Sequence, residues 1–346
     1  MGGKIIMEVM IQKKNIVLDA TVMNTILSCG RLADFRFNHN FQSIRGKSNS
    51  LECGTMFHKI KEVYNKHKIK GFDRNMAIAQ GLIAGELYAN GCPHCADFIE
   101  PKHDSLYTVI EADGYGNHVC GPNCILKPAC GHQPQEYPGV KNTPIDSEGH
   151  YIGWKYVLQT AIEYFEHYKN DPWIVLKSEI VKAEVLYEDE DIRVMWKAKF
   201  DEIVDTNNGI YPCDIKTQKQ RREKLVLNNQ FIGQCMLMKT RNMIVDNVGF
   251  QKSLSAKDKF TRELMSYSSD LLLEWQSETM PHAAYKLLEW SEANYWPPNY
   301  THCENKYGNC PFVKVCESDR NMRAEEIKLN FYRGPKWNPT NDNDGE

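Results

Sequence analysis

The stretch that decides the fold is a predicted hairpin that reads Lys197-Ala-Lys-Phe-Asp201-Glu-Ile-Val-Asp-Thr-Asn-Asn-Gly-Ile-Tyr-Pro-Cys-Asp214-Ile-Lys216-Thr217. Asn207-Asn208-Gly209 is typical of a tight turn, and the residues on either side are rich in β-branched and aromatic types. The pattern predicts two antiparallel strands, the first carrying Asp201 and the second carrying Asp214 and Lys216.

The spacing of these three residues predicts that they share one face of the hairpin. Asp214 and Lys216 are two residues apart on a strand, so their side chains point the same way. With a two-residue loop, the numbers of directly opposed residues add to an odd value, so Asp201 lies on that same face whether the loop is 207–208 or 208–209. A three-residue loop would reverse the face of Asp201. The sequence therefore predicts a site where two carboxylates and one ammonium meet.

Two carboxylates with an open side suit a hard divalent cation. Mg²⁺ takes oxygen ligands, keeps several waters and accepts phosphate oxygens, and Mn²⁺ uses similar ligands. A nearby lysine can orient water or stabilise charge that develops on a phosphate. The alternative is a solvated strand face on which Asp214 and Lys216 form an ordinary ion pair, and spacing alone does not decide between the two.

Two further residues extend the pattern along the chain. His58 lies in a helical pattern from Gly54 to Tyr64, and Gln230 lies in another from about Leu227 to Lys239. The order His58, Asp201, Asp214-Ile-Lys216, Gln230 resembles the RecB-like branch of the PD-(D/E)XK nucleases. Members carry a helix histidine, a Gly-x-apolar-Asp strand, an (Asp/Glu)-apolar-Lys strand and a Gln-x-x-x-Tyr helix. This chain departs from that pattern at Ala198, where glycine is usual, and at Gln234, where tyrosine is usual.

The resemblance implies an α/β fold with a restriction-endonuclease-like central mixed sheet flanked by helices. It implies that His58, Asp201 and Asp214 hold Mg²⁺ or Mn²⁺, that Lys216 is catalytic together with the two aspartates, and that Gln230 positions the site or the DNA. Glu184 is a candidate for the acidic residue that some members carry on the preceding strand, with a solvated glutamate as the alternative.

Cysteine is the unusual feature of the composition, with twelve in 346 residues. The first residues show no export signal and no apolar run approaches the length of a membrane span, so we expect reduced thiols or metal ligands in a cytoplasmic protein that does not enter a membrane. The 42 Lys and Arg against 45 Asp and Glu exclude a globally basic nucleic-acid coat but leave local basic patches open.

Three cysteines stand close together near the end of the sequence, as Cys303-x6-Cys310-Pro-x4-Cys316. Three thiols do not complete a 4Fe-4S or structural zinc site, each of which takes four ligands. The arrangement resembles that of the CRISPR-associated and AddB-type Fe-S exonucleases, in which one early and three late cysteines share a cluster. That resemblance implies Cys29 as the fourth ligand. Cys53 competes for this role, and zinc with His302 is the alternative occupant.

A central Cys/His-rich stretch forms a second thiol group. We expect a zinc site there formed by Cys92, Cys95, Cys120 and Cys124, with ordinary thiols in a loop-rich insertion as the alternative. Basic residues next to the hairpin are candidate DNA contacts, namely Lys219, Arg221 and Arg222, although a solvated basic face explains them equally well.

The patterns divide the chain into five regions. We expect a helical N-terminal region with Cys29 and His58 (1–90), the irregular insertion (91–150), the nuclease core (151–255), a C-terminal helix from about Phe260 to Tyr295 with the Fe-S segment (256–335), and a mobile tail (336–346).

The resemblance implies a DNA exonuclease that acts on DNA ends or single strands in recombination, repair or processing. Its partners would be DNA and a helicase, recombinase or other DNA-processing protein, in a bacterial cell or a phage-infected host. The alternatives are a non-catalytic Fe-S adaptor that captures DNA and a zinc-dependent regulator built on the central cysteines. The composition suits a phage-encoded protein.

Overall fold

The structure of the chain is a computed structural model that describes residues 13–43, 49–89, 153–218, 227–251, 253–305 and 308–334. Several predicted features lie outside the described residues: the insertion with Cys92, Cys95, Cys120 and Cys124, the basic residues Lys219, Arg221 and Arg222, and the tail 336–346.

The described strands number ten in chain order: β1 (Lys14–Leu18), β2 (Phe41–Ser43), β3 (Ile174–Glu188), β4 (Ile192–Thr206), β5 (Gly209–Gln218), β6 (Asn242–Gly249), β7 (Phe260–Ser266), β8 (Glu304–Asn305), β9 (Gly308–Asn309) and β10 (Phe331–Arg333). The described α-helices are α1 (Ala20–Ser28), α2 (Gly30–Ala33), α3 (Asn49–Ile69), α4 (Arg74–Ala89), α5 (Trp154–His167), α6 (Asn229–Met238), α7 (Ala256–Lys259), α8 (Ser269–Glu274), α9 (Met280–Glu292), α10 (Val313–Glu317) and α11 (Arg323–Asn330). Short π-helical turns follow α2 and α8, and a 3-10 turn spans Tyr300–His302.

A six-stranded mixed sheet forms the centre of the fold, and within it β4 pairs with three other strands, β1, β3 and β5. Along one edge β4 pairs antiparallel with β3. Along the other edge it pairs parallel with β1 through Ile192–Trp196, and antiparallel with β5 through Glu202–Thr206. Along this second edge of β4, β1 pairs as far as Trp196 and β5 pairs from Glu202 onward. The two strands therefore diverge beside residues 197–201 of β4. The sheet therefore opens beside Asp201.

The β4–β5 hairpin has a two-residue loop, the case in which Asp201 shares the face of Asp214 and Lys216. Thr206 pairs with Gly209, so the loop is 207–208, and Gly209 has a φ of +134°, a conformation that glycine adopts at little cost. The paired residues end at Glu202 and Cys213, which makes Asp201 and Asp214 the next opposed pair. The parity prediction for these two carboxylates is confirmed.

Helices cover the two faces of the sheet. One hydrophobic cluster joins β1 and β4 to α1, α6 and α9, and a second joins α3 and α5 to β5 and β6. Neighbouring residues of β5 point to different clusters: Ile215 is buried in the second, while the Lys216 ammonium lies 5.3 Å over the ring of Phe231 in the first. Fully burying a side chain such as Phe231 contributes about 1.5–3 kcal/mol to the stability of the fold, so the two clusters hold the helices against the sheet.

The segment from Phe260 to Tyr295, predicted to be mostly helical, is helical from Ser269 to Glu292 but begins as a strand. Phe260–Ser266 is strand β7, which pairs antiparallel with β6 and buries Phe260 and Met265. The backbone hydrogen bonds offered by the edge of β6 override the local helical spacing. The central sheet thus extends beyond the predicted core on both sides, to β1 and to β7. Within the described residues, no helix is long and apolar enough to cross a lipid bilayer.

Candidate metal centre

Three potential metal ligands meet at the opening of the sheet: His58 from α3, Glu179 from β3 and Asp201 from β4. One ligand atom of each lies within 4.8 Å of the other two, and all three residues are half-buried. His58 Nδ1 is 3.7 Å from Asp201 Oδ2. One imidazole and two carboxylates form a donor set of nitrogen and hard oxygen that suits a divalent cation such as Mn²⁺ or Mg²⁺.

Asp201 is held at the point where the ladder between β4 and β5 ends. Its Oδ2 accepts a hydrogen bond from the backbone N–H of Ile215 at 2.8 Å. The carboxylate thus takes the place of a backbone acceptor just beyond the last paired residues, Glu202 and Cys213. Because β5 is fastened to this side chain, the distance between Asp201 and the residues of β5 is set by the sheet itself.

Glu179 is the site residue that the sequence reasoning missed. It lies opposite Asp201, because the pairs Ser178–Glu202 and Ile180–Phe200 flank it in the register of β3 and β4. Its φ of +54° is in the left-handed region, which costs a non-glycine residue about 1–3 kcal/mol and persists only where the surrounding structure holds it.

Glu184, the acidic residue that the sequence suggested on this strand, is paired with Trp196 instead. It is five residues beyond Glu179, so the alternation of a strand directs its side chain to the other face. Only the register of β3 against β4, which strand propensity does not predict, identifies Glu179.

Asp214, Lys216 and Gln230 form a hydrogen-bonded triangle beside the three ligands. Lys216 Nζ lies 2.6 Å from Asp214 Oδ2 and donates to Gln230 Oε1 at 3.1 Å, and Gln230 Nε2 donates to Asp214 Oδ1 at 2.6 Å. Asp214 is 1% exposed, whereas the Lys216 side chain is 31% exposed. Of the three predicted metal ligands, His58 and Asp201 belong to the group of three potential ligands described above. Asp214, the third, is not in that group, and its carboxylate contacts Lys216 and Gln230 instead.

Gln234, which stands where the family pattern has tyrosine, has a structural role. It is fully buried, and its Nε2 donates to the backbone oxygen of Lys199 at 3.0 Å. This bond joins α6 to β4 within one turn of Gln230. It holds the helix that carries Gln230 against the strand that carries Asp201.

Burial raises the pKa of two carboxyl groups of the site, those of Asp201 and Glu179. Burial, followed by the neighbouring Asp214 carboxylate, raises the pKa of Asp201 to about 8, although the Ile215 N–H and Lys216 act in the opposite direction. Burial also raises the pKa of Glu179 to about 7, against the lowering effect of Lys199. Burial lowers the pKa of His58, which favours the neutral imidazole that binds metals. A divalent cation would displace the carboxyl protons, so its affinity is coupled to pH.

The terminal thiols also come together from distant parts of the chain. Burial raises the pKa of Cys303, and the nearby thiols of Cys316 and Cys29 raise it further. Burial also raises the pKa of Cys310, and the thiols of Cys316 and Cys303 act in the same direction. The backbone N–H of Asn299 donates to Cys29 Sγ at 3.3 Å, and Cys310 N–H donates to Cys303 O at 2.7 Å. The predicted set of Cys29, Cys303, Cys310 and Cys316 is thus a spatial cluster.

The competing candidate for the fourth ligand lies in another part of the fold. Cys53 lies elsewhere, fully buried against Met56 and Phe57 in α3, and is not placed to be a fourth ligand.

Comparisons with known proteins add little to this geometry. No family model matches the sequence, and no curated protein matches it. Solved structures do match, among them one described as "Crystal structure of SSO0001", with 14% sequence identity over 47% of this chain and 70% of that chain. Its TM-score of 0.27 is too low to support any statement about the fold or function of this protein.

Proposed function

We propose that this protein is a Mg²⁺- or Mn²⁺-dependent DNA nuclease that hydrolyses phosphodiester bonds. The observation that carries the proposal is the placement of His58, Glu179 and Asp201 within 4.8 Å of one another, directly beside the Asp214–Lys216 pair. A site that joins a cation's ligands to a partly exposed ammonium suits a substrate that carries negative charge, such as a phosphodiester.

The cation and the side chains of the site would have different roles in hydrolysis. The bound cation would supply Lewis-acid polarisation of the phosphate and activation of water. The Lys216 ammonium, fixed by Asp214 and Gln230, stabilises negative charge that develops on the phosphate. Gln230 forms hydrogen bonds with both Asp214 and Lys216, so it positions the Lys216 ammonium.

A structural 4Fe-4S cluster on Cys29, Cys303, Cys310 and Cys316 is part of the same proposal. The cluster would close a loop of most of the chain, and the protein already fastens the same two ends: β2 pairs with β10, and Phe35 and Phe41 pack with Phe312 and Phe331. Arg31 forms a hydrogen bond with Cys316, which raises the Arg31 pKa even though burial acts to lower it. These contacts between the two ends of the chain support a structural role for the cluster and not a redox role.

The substrate and setting follow the family resemblance. We infer exonuclease action on DNA ends or single strands in recombination, repair or processing, with a helicase, recombinase or other DNA-processing protein as a partner. The setting is the cytoplasm of a bacterial cell or a phage-infected host. The central cysteines remain a predicted zinc site.

The test is cleavage of end-labelled single- and double-stranded oligonucleotides by anaerobically purified protein with Mg²⁺ or Mn²⁺. Asp214→Asn and Lys216→Ala should each lower the rate by about a hundredfold or more, because each removes a charge from the site. Asp205→Asn changes a carboxylate of the same hairpin outside the site and should leave the rate unchanged. All three variants should keep the visible Fe-S absorbance and the iron and sulfide content.

Two results would contradict this assignment. Unchanged cleavage by both site variants would remove the site from the reaction. Wild-type protein that binds DNA but never cuts it with either cation would favour the non-catalytic adaptor.

A further inference from the structure

A cavity of about 500 Å³ lies beside the C-terminal half of α3. Residues from α3, the start of α4, the end of α5, β3, β4 and β7 line it, and none of them is a ligand of the metal centre or a member of the Asp214–Lys216–Gln230 triangle. Its size is within the roughly 300–1,000 Å³ that small-molecule sites occupy.

The floor of the cavity is an ionic network in which each carboxylate already has a cation. Lys61 Nζ lies 2.9 Å from Glu202 Oε1, with both side chains almost fully buried. Arg262 pairs with Asp171 and, at 3.3 Å, with Asp246. The negative charges of the lining, on Glu202 and Asp171, are therefore neutralised within the lining itself.

The mouth of the cavity carries an excess of positive charge from three separate elements. Lys68 comes from the end of α3, Arg74 from the start of α4 and Lys169 from the turn after α5. Lys169 pairs with Glu166 at the surface. Lys68 Nζ donates to the backbone oxygen of Phe72 at 3.4 Å, and Arg74 donates to the backbone oxygen of Phe165. In the part of the chain that the structure describes, neither forms an ion pair with a carboxylate, so each keeps a positive charge and further N–H groups that an anion can use.

The walls between the floor and the mouth are aromatic. Tyr64, Phe165, Tyr168 and Trp173 all line the cavity. Tyr168 and Trp173 hold the Arg262 guanidinium between them, with their ring centroids 3.7 and 4.0 Å from its central carbon. Because Arg262 is also paired with Asp171, these rings are held in fixed positions. Preset aromatic walls favour a planar aromatic ligand over a flexible one.

We propose that this cavity is a nucleotide-binding site separate from the metal centre, with the phosphate at Lys68 and Arg74 and the base against the aromatic walls. A mononucleotide and one nucleotide unit of a DNA strand share this chemistry. An aromatic base and a phosphate together use both parts of the lining, whereas a simple anion would use only the mouth. The proposal does not depend on cleavage, because it requires neither a divalent cation nor the residues of the metal centre.

The experiment is calorimetric titration of the full chain, in EDTA, with thymidine 5′-monophosphate, thymidine, inorganic phosphate and a short oligothymidylate. The nucleotide should bind at least about tenfold more tightly than phosphate or thymidine, because only it combines the two kinds of contact. The double variant Lys68→Ala/Arg74→Gln should lose about tenfold or more in affinity for it, and the dependence of binding on salt should weaken.

Lys66→Ala is the matched control, because Lys66 is an exposed lysine of the same helix that pairs with Glu62 and does not line the cavity. It should bind as the wild type does. Melting temperatures establish that all variants fold, so a loss of binding reports on the site.

Three outcomes overturn the proposal: no binding of either the mononucleotide or the oligonucleotide, phosphate binding as tightly as the nucleotide, or a double variant that binds like the wild type. Tight binding of the oligonucleotide without the mononucleotide assigns the site to a DNA strand. The reverse assigns it to a free nucleotide. Because the assay contains no divalent cation, its result stands apart from the test of nuclease activity.

Discussion

The buried ion pair between Lys61 and Glu202 should be one of the most stability-sensitive contacts in the protein. Lys61 is one helical turn after His58 on α3, and Glu202 follows Asp201 on β4, so the pair fixes the helix that carries one metal ligand against the strand that carries another. The perturbation is Lys61→Met, which keeps most of the aliphatic stem and removes the charge.

The magnitude follows from the burial of the partner. The Lys61 and Glu202 side chains are 5% and 3% exposed, and Asn65 Nδ2 donates the remaining hydrogen bond to Glu202 at 2.6 Å. Removing one member of such a pair leaves an uncompensated buried charge and costs about 3–5 kcal/mol of unfolding free energy. In a Lys61→Met/Glu202→Gln double variant no charge remains, so we expect the cost to fall by about 2 kcal/mol or more relative to the single variant.

The pH dependence gives a second signature. In the wild type, burial acts to raise the pKa of Glu202, but Lys61 and Asn65 more than offset it and the pKa is lowered. This contribution to stability is therefore present above the unfolded pKa of about 4.3 and is lost as the pH falls through the folded value. In Lys61→Met, burial would dominate and raise the pKa of Glu202. Ionisation of this buried carboxyl group would then lower the free energy of unfolding of the protein as the pH rises.

The assay is urea unfolding followed by far-UV circular dichroism for the wild type and both variants. The difference in unfolding free energy between wild type and Lys61→Met should be smallest near pH 4 and should grow to about 3–5 kcal/mol towards pH 8. A difference below about 1 kcal/mol at pH 7, or one that shrinks as the pH rises, would refute the reasoning.

Three more predictions concern packing, metal binding and the cluster. Gly233→Ala should destabilise the protein by several kcal/mol in thermal unfolding, because the new Cβ would lie 2.1 Å from Nε1 of the buried Trp196; an unchanged melting temperature would contradict this. The affinity for Mn²⁺, measured by calorimetry, should rise by about fivefold between pH 7 and pH 8, because binding displaces the proton that Asp201 holds with its pKa of about 8; a flat profile would count against this residue as a ligand. Cys29→Ser should lower the iron content of anaerobically purified protein while Cys53→Ser leaves it unchanged, and the opposite result would exchange the roles of the two thiols.

Several elements could be predicted because their signals are local. The turn at Asn207-Asn208-Gly209 predicts a tight hairpin, and with a two-residue loop Asp201, Asp214 and Lys216 share one face in either register. The structure selects the register in which Asp201 is opposite Asp214. The helix around His58 and the one around Gln230 were predicted from apolar spacing, and the structure has them as parts of α3 and α6.

Other elements depended on contacts between distant segments. Phe260–Ser266 has a spacing compatible with a helix and becomes a strand because β6 offers it a free edge. Glu179 is an ordinary strand glutamate in sequence. It enters the metal centre because β3 pairs with β4 in one register and its own backbone takes a positive φ.

The sequence by itself determined the chemistry that is available: a hairpin with two carboxylates and a lysine, a helix histidine, and three clustered terminal thiols with distant candidates for a fourth. Only the tertiary structure decided which groups meet. It opened the sheet between β1 and β5 beside Asp201, brought Glu179 there, and placed Cys29 and not Cys53 with the terminal thiols. The physical reason is that side-chain type and short-range spacing are encoded locally, whereas strand register, sheet opening and the cavity beside α3 arise from the packing of segments far apart in the chain.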